Sequence, residues 1–128
     1  MRYLLDTHSL LWIVDDNPNL GDHVKNIYLN EEMEIFVSIA SIWEIAIKKS
    51  LNKLEIPGTL ADFVEEHIRG NKIDIMLIEL KHLYHLENLP YYHRDPFDRI
   101  LISQALAENI PVLTRDIAFD DYPVQRIW

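Results

Sequence analysis

The stretch RYLLDTHSLLWIV, residues 2–14, changes its pattern at an acid. Arg2 to Leu5 reads as a short buried strand, and Ser9 to Val14 carries the spacing of a helix. Four further runs read as strands: Ile35 to Val37, Ile75 to Ile78, Pro111 to Leu113 and Val124 to Ile127. Helical patterns fill the intervals, at Leu20 to Asn30, Ile39 to Leu51, Leu60 to Ile68, Glu79 to Leu86 and Pro96 to Asn109. Strands alternating with helices predict an α/β domain with a mainly parallel, five-stranded sheet. Turn-type clusters at Asp16 to Asn19, Pro57-Gly58, Arg69 to Lys72 and Leu89-Pro90 are too short to be interdomain linkers. One domain over residues 1–128 is therefore expected.

Open parallel sheets bind ligands beyond the carboxyl ends of their strands, so the polar residues just after each strand carry the functional question. Asp6 follows the first strand, and Asp116 follows Val112-Leu113. Glu44 lies on the helix entered from Val37-Ser38, and Asp98 lies in the first turn of the helix that starts at Pro96. Each has an ordinary explanation. Asp6 and Asp116 suit turns or caps. Glu44 suits a Ser41-x-x-Glu44 capping box or a pair with Lys48 four residues on.

The segment HRDPFDRILISQAL, residues 93–106, separates caps from chemistry. Pro96 favours the first helical position, which makes Asp95 the N-cap. Asp98 then falls at the third helical position, and at about 100° per residue Leu101, Ile102 and Ala105 flank it on both sides. A carboxylate aimed at an apolar arc is costly unless a cation or hydrogen bonds compensate it. Several carboxylates gathered at one place also raise one another's pKa unless a divalent cation holds them. With oxygen ligands and no cysteine, Mg²⁺ or Mn²⁺ suits such a site better than Zn²⁺.

The composition narrows the choice further. The 128 residues are 48% hydrophobic and 26% charged, as in an ordinary globular protein. The absence of cysteine excludes disulfides and thiolate chemistry and fits a cytoplasmic protein. The N-terminal run, interrupted early by an acid, is expected to be neither a secretory signal nor a membrane span. A formal charge of −9 argues against a broad phosphate-gripping surface. A metal ion removes that objection, because it bridges an acidic pocket to a phosphate.

Four segments together resemble the PIN-domain ribonucleases of the VapC toxin type, the toxins of type II toxin-antitoxin pairs. They are LLDTHSLLW (4–12), SIASIWEIAIKKSLNKLEIP (38–57), LPYYHRDPFDRILISQAL (89–106) and LTRDIAFDDYPV (113–124). The resemblance covers almost the whole chain and rests on DPFDR combined with WEIAIK. It implies a PIN-like three-layer domain, a homodimer, Mg²⁺- or Mn²⁺-dependent cleavage of RNA, and an antitoxin whose basic side chains enter the active site. It puts the acidic, metal-holding site on Asp6, Glu44, Asp98 and Asp116. It places Thr7, Ser38, Asp95 and Thr114 near the metal or substrate. Asn52 stands where relatives commonly have glycine, and asparagine tolerates the left-handed conformation there. On this basis Asp6, Glu44 and Asp98 hold one metal directly or through water, and Asp116 completes that site or serves a second ion.

The remaining polar and aromatic residues have plainer expectations. Arg94, Arg99 and Arg115 are expected to pair with neighbouring carboxylates, and the histidines to have surface or hydrogen-bonding roles. Trp12 and Trp43 fall on apolar helix faces and predict core or dimer packing. Two rival functions remain: a phosphatase with Asp6 as nucleophile, which lacks a second aspartate because His8 stands at that position, and a PIN-like module that only binds RNA or protein.

Overall fold

The computed structural model describes residues 1–128. Strands β1 (Arg2–Leu5), β2 (Glu34–Ser38), β3 (Asp74–Met76), β4 (Val112–Leu113) and β5 (Arg126–Ile127) form one sheet in the order β3-β2-β1-β4-β5. Every neighbouring pair is parallel, so the sheet goes beyond the mainly parallel expectation.

Side chains alternate between the two faces of a strand, and β1 shows the consequence. Tyr3 and Leu5 face one core with Ile35 and Val37, and Leu4 faces the other with Val112. The first core is closed by Leu10 of α1 (Thr7–Val14), Val24 of α2 (Asp22–Leu29), Ile42 and Ile45 of α3 (Ile39–Ser50), and Phe63 of α4 (Leu60–Phe63). The second is closed by Leu101, Ile102 and Ala105 of α6 (Pro96–Glu108), with Leu86 of α5 (Leu80–Glu87) packed beside them. The sheet is thus covered on both faces, which gives three layers.

Several boundaries differ from the sequence expectation for local reasons. Helix α1 starts at Thr7 rather than Ser9 because the Asp6 side chain caps it. The helical pattern at 60–68 divides into α4 and a π-helical segment, Val64–Arg69. Strand β3 ends at Met76, and Leu77 and Ile78 emerge from the sheet exposed. Trp43 is 60% exposed, with its ring edge-on to Phe97, so it is not a core residue of the single chain. Trp12 is half-buried against Trp128. Asn52 adopts φ +56°, the left-handed conformation expected of it.

Strand order reverses direction between β1 and β4, both of which point their carboxyl ends the same way. Crevices form at such switch points because the chain leaves in opposite directions on either side. Asp6 and Thr114 are the first residues beyond these two strands, and Ser38 ends β2.

Leu101 has no solvent exposure and lies where α6 seals the second core. Leu101→Ala is expected to lower unfolding stability by about 2–5 kcal/mol through the cavity it leaves. Urea denaturation should show the midpoint falling with an unchanged slope.

Candidate metal centre

Asp6 is 6% exposed, and both of its carboxylate oxygens are occupied. Oδ1 accepts the Ser9 backbone N–H at 2.8 Å, which is the α1 cap. Oδ2 accepts the Thr114 hydroxyl at 2.6 Å, a bond across the switch point from the end of β4. The bland cap and the functional placement therefore coexist in one residue. Burial raises the Asp6 pKa above the ordinary carboxylate range, and the bonds from Ser9 and Thr114 pull against it.

Glu44 reaches the same edge from the second turn of α3 and is 7% exposed. Thr7 Oγ1 lies 2.8 Å from Glu44 Oε1 and 2.9 Å from Ser41 Oγ. A hydroxyl has one proton, so Thr7 donates to the carboxylate and accepts from Ser41. Lys48 pairs with Glu44 Oε2 at 2.7 Å, as the four-residue spacing predicts. The alternative capping box does not form, because the cap of α3 is Ser38, whose Oγ accepts the Ala40 N–H at 3.0 Å. Ser38 is fully buried in that role and bonds none of the acids.

Asp95 caps α6, its Oδ1 accepting the Phe97 N–H at 2.9 Å and the Asp98 N–H at 3.4 Å. Asp98 stands at the third helical position with its side chain 23% exposed, at the margin between core and crevice. Asp116 caps a 3₁₀ turn (Ile117–Asp121) through Oδ1, which accepts the Ala118 N–H at 3.0 Å. The Asp116 backbone N–H in turn donates to Thr114 Oγ1 at 3.0 Å, tying this acid to the hydroxyl that holds Asp6.

His93 joins the last two acids. Its Nε2 lies 3.1 Å from Asp98 Oδ2 and 3.6 Å from Asp116 Oδ2. The three ligand atoms fall within 4.8 Å of one another, and Asp6 and Glu44 stand outside that tight group. His93 has the hydrogen-bonding role expected of the histidines, its Nδ1 accepting the Asp95 N–H at 3.2 Å, but its place between two acids was not expected. The signal was its place in HRDPFDR, next to a helix start that carries two acids.

Arg99 explains why His93 is held there. It is 4% exposed and pairs with no carboxylate, contrary to the expected ion pair. Its guanidinium donates to the carbonyls of Leu89 at 3.0 Å, Pro90 at 2.8 Å and His93 at 3.3 Å, and lies 3.8 Å above the Tyr91 ring. The planar fork suits a chain segment presenting several carbonyls, and a lysine cannot replace it. Arg94 and Arg115 are exposed and form none of the expected pairs.

The electrostatics favour a cation. The Asp98 pKa is pushed up to about 7, by burial first and then by the like charge of Asp95; His93 pulls against them, and Asp6 and Glu44 add smaller upward contributions. Lys48 is the one lysine paired with these acids. A second cluster of Glu79, His82 and Glu108 makes the contrast. There Lys81 sits 2.9 Å from Glu108 and its hydrogen bond holds that carboxyl below the usual range. Both ring nitrogens of His82 are also committed, Nδ1 to the Glu79 N–H at 2.9 Å and Nε2 to Glu108 at 3.3 Å. That cluster is satisfied by the protein itself. The Asp98 cluster is not, and its hard oxygen donors fit Mg²⁺ or Mn²⁺.

Comparison with known proteins agrees with this architecture. Residues 3–125 match the family model for the PIN domain. The fold is similar to a solved structure of VapBC2 from Rickettsia felis bound to a promoter DNA fragment, with 18% identity, TM-score 0.74 and 99% and 98% of the two chains covered. It is similar to FitAcB from Neisseria gonorrhoeae, with 17% identity, TM-score 0.70 and coverage of 98% and 96%. VapBC-1 from nontypeable Haemophilus influenzae gives 16% identity, TM-score 0.61 and coverage of 99% and 97%. Among curated proteins none matches in sequence.

The raised pKa of Asp98 predicts a pH dependence of stability. Between its ordinary value of 3.8 and about 7 the folded state binds more protons than the unfolded state, so this group makes the metal-free protein less stable as pH rises. Asp98→Asn removes that titration. Thermal unfolding in EDTA should find the variant matched to wild type near pH 4 and more stable at pH 8, by on the order of 2 kcal/mol after allowance for partial exposure.

Proposed function

The chain belongs to the PIN-domain family, and on that premise we propose that it is a metal-dependent endoribonuclease, the VapC-type toxin of a toxin-antitoxin pair. The observation that supports this most is the switch-point crevice, where Asp6, Glu44, Asp98 and Asp116 arrive from four separate elements with too little protein cation to balance them. Fold likeness alone selects no chemistry, so the reading rests on those side chains.

Asp6, Glu44 and Asp98 are the residues proposed to hold Mg²⁺ or Mn²⁺, and Asp116 is proposed to work beside them. When bound, such an ion neutralises charge on a phosphodiester and lowers the pKa of an attacking water. The protein's own groups prepare that event. Thr114 orients Asp6 through Oδ2, and Thr7 orients Glu44 through Oε1. These bonds fix each acid before an ion arrives, in the manner of partners that support a metal ligand. Asp95 holds the first turn of α6 in place and so fixes where Asp98 points.

The acidic crevice also suits a partner that supplies positive charge. With a formal charge of −9, the chain favours a basic segment over a bare polyanion wherever no ion intervenes. An antitoxin carrying arginine or lysine into the crevice, and a homodimeric toxin, complete the proposal. Its setting is the cytoplasm.

The phosphatase rival is the weaker reading. The second aspartate it needs is absent, and His8, which stands at that position, is exposed beside Trp12. A binding-only module is separated from a nuclease by assay. Labelled RNA should be cut by wild type with Mg²⁺ or Mn²⁺, and Asp98→Asn or EDTA should slow cleavage by about 100-fold or more. RNA that binds but survives intact under all conditions identifies the binding module.

A further inference from the structure

Between Leu89 and Asp95 two neighbouring aromatic rings stand exposed. Tyr91 is 78% exposed and Tyr92 66%, high values for side chains that usually bury much of their surface. Both rings are backed by the protein. The Arg99 guanidinium lies 3.8 Å from the centroid of Tyr91, over one face of the ring, and the Tyr122 ring lies 5.3 Å from that of Tyr92 at a tilt of 54°. Arg99 and Tyr122 are themselves buried, so each exposed ring rests on the core.

The backbone that carries the rings is held as firmly. Arg99 donates to the carbonyls of Leu89, Pro90 and His93, while Tyr122 Oη accepts the His93 N–H at 2.8 Å and donates to the Pro90 carbonyl at 2.6 Å. These bonds fall on both sides of the two tyrosines. A ring that is already fixed loses little conformational freedom when a flat group stacks on its open face.

The surroundings select what that flat group is. Residues 90–94 contain no leucine, isoleucine, valine or methionine for an apolar helix to pack against. They do contain Arg94, which is exposed and forms no ion pair. Tyr92 is joined to His93, whose Nε2 lies 3.1 Å from Asp98 Oδ2, so the rings stand at the rim of the acidic crevice. Open π faces beside a free guanidinium match a nucleotide, base to ring and phosphate to arginine. Stacking also needs no positive field, which suits a chain of formal charge −9.

We propose that Tyr91 and Tyr92 form a base-stacking subsite, on which unpaired nucleobases of the RNA rest while Arg94 meets an adjoining phosphate. This inference rests on the RNA-cleaving reading above and adds to it the side chains that grip the strand beside the acids. Bases paired within a duplex hide their faces, so the subsite takes only unpaired ones. Arg99 is a positioning residue that acts through Tyr91.

The test is a cycle of ring removal against base removal. A labelled oligoribonucleotide without internal pairing, and an abasic oligomer of the same length and charge, are titrated with the full chain in EDTA and again with Ca²⁺, binding being followed by fluorescence anisotropy. Wild type should prefer the oligomer that carries bases. Tyr91→Ala/Tyr92→Ala should lose about tenfold or more of that preference with its affinity for the abasic oligomer unchanged, and Tyr91→Phe/Tyr92→Phe should keep it. An equal preference in wild type and the alanine variant overturns the subsite and leaves the nuclease reading intact. So does an alanine variant that changes only its mass by light scattering, which assigns the rings to an interface between copies of the chain. No binding of either oligomer by wild type removes the RNA reading and the inference together. If the alanine variant does not fold, proton NMR of the wild-type tyrosine rings decides: the Tyr91 and Tyr92 ring signals should move upfield with the base-bearing oligomer and stay in place with the abasic one. Ring signals that respond alike to both oligomers contradict the proposal.

Discussion

Like charges gathered in a partly buried crevice repel one another, and the structure around β1 and β4 is organised by that repulsion. Asp6 is almost fully buried, Asp98 is pushed up to about 7, and the like charge at Asp98 comes from three separate carboxylates. The fold answers with hydrogen bonds from Ser9 and Thr114 to Asp6, from Thr7 to Glu44 and from the Ala118 N–H to Asp116, and with close contacts of Lys48 to Glu44 and His93 to Asp98. These keep the acids in place without cancelling their charge. In the proposed reading a bound cation removes what remains of the repulsion, and the energetic cost of the crevice becomes affinity for the ion.

The sheet supplies the rigid frame for this arrangement. Its central strand is closed on both faces, with Leu4 and Leu5 fully buried, and Asp6 therefore leaves the sheet at a fixed point. The β4 backbone is tied to β1 by the bond from the Asp6 N–H to the Leu113 carbonyl at 3.3 Å, which brings Thr114 within reach of Asp6. Helices α3 and α6 lie on opposite layers and add Glu44 and Asp98 from either side. Residues far apart in sequence meet where strand order reverses.

Much of this was legible in RYLLD, LTRD and DPFDR. Apolar runs ending in acids identify strands whose carboxyl ends share an edge, and Pro96 fixes the phase of α6, so that Asp95 caps and Asp98 turns inward. Local pattern carries that information because it depends on residues a few positions apart. The partners that hold the acids depend on contacts across the fold. Thr7 with Ser41 spans 34 positions and Asp6 with Thr114 spans 108, beyond any periodicity. Arg99 misled for a related reason: its acidic neighbours suggested an ion pair, while burial and three converging carbonyls gave its guanidinium another use. Trp43 lies on an apolar helix face that extends past the core, where the exposed ring meets Phe97.

The central claim is that the acids are compensated by a divalent ion and not by the protein alone. The most direct measurement is thermal unfolding of the wild-type chain at pH 7.5 over a series of Mg²⁺ or Mn²⁺ concentrations. An ion that binds only the folded state stabilises it by about 2.7 kcal/mol at a hundredfold excess over its dissociation constant, so the melting temperature should climb by several degrees. Asp98→Asn should blunt that climb. A wild-type melting temperature that stays level into the millimolar range contradicts the account.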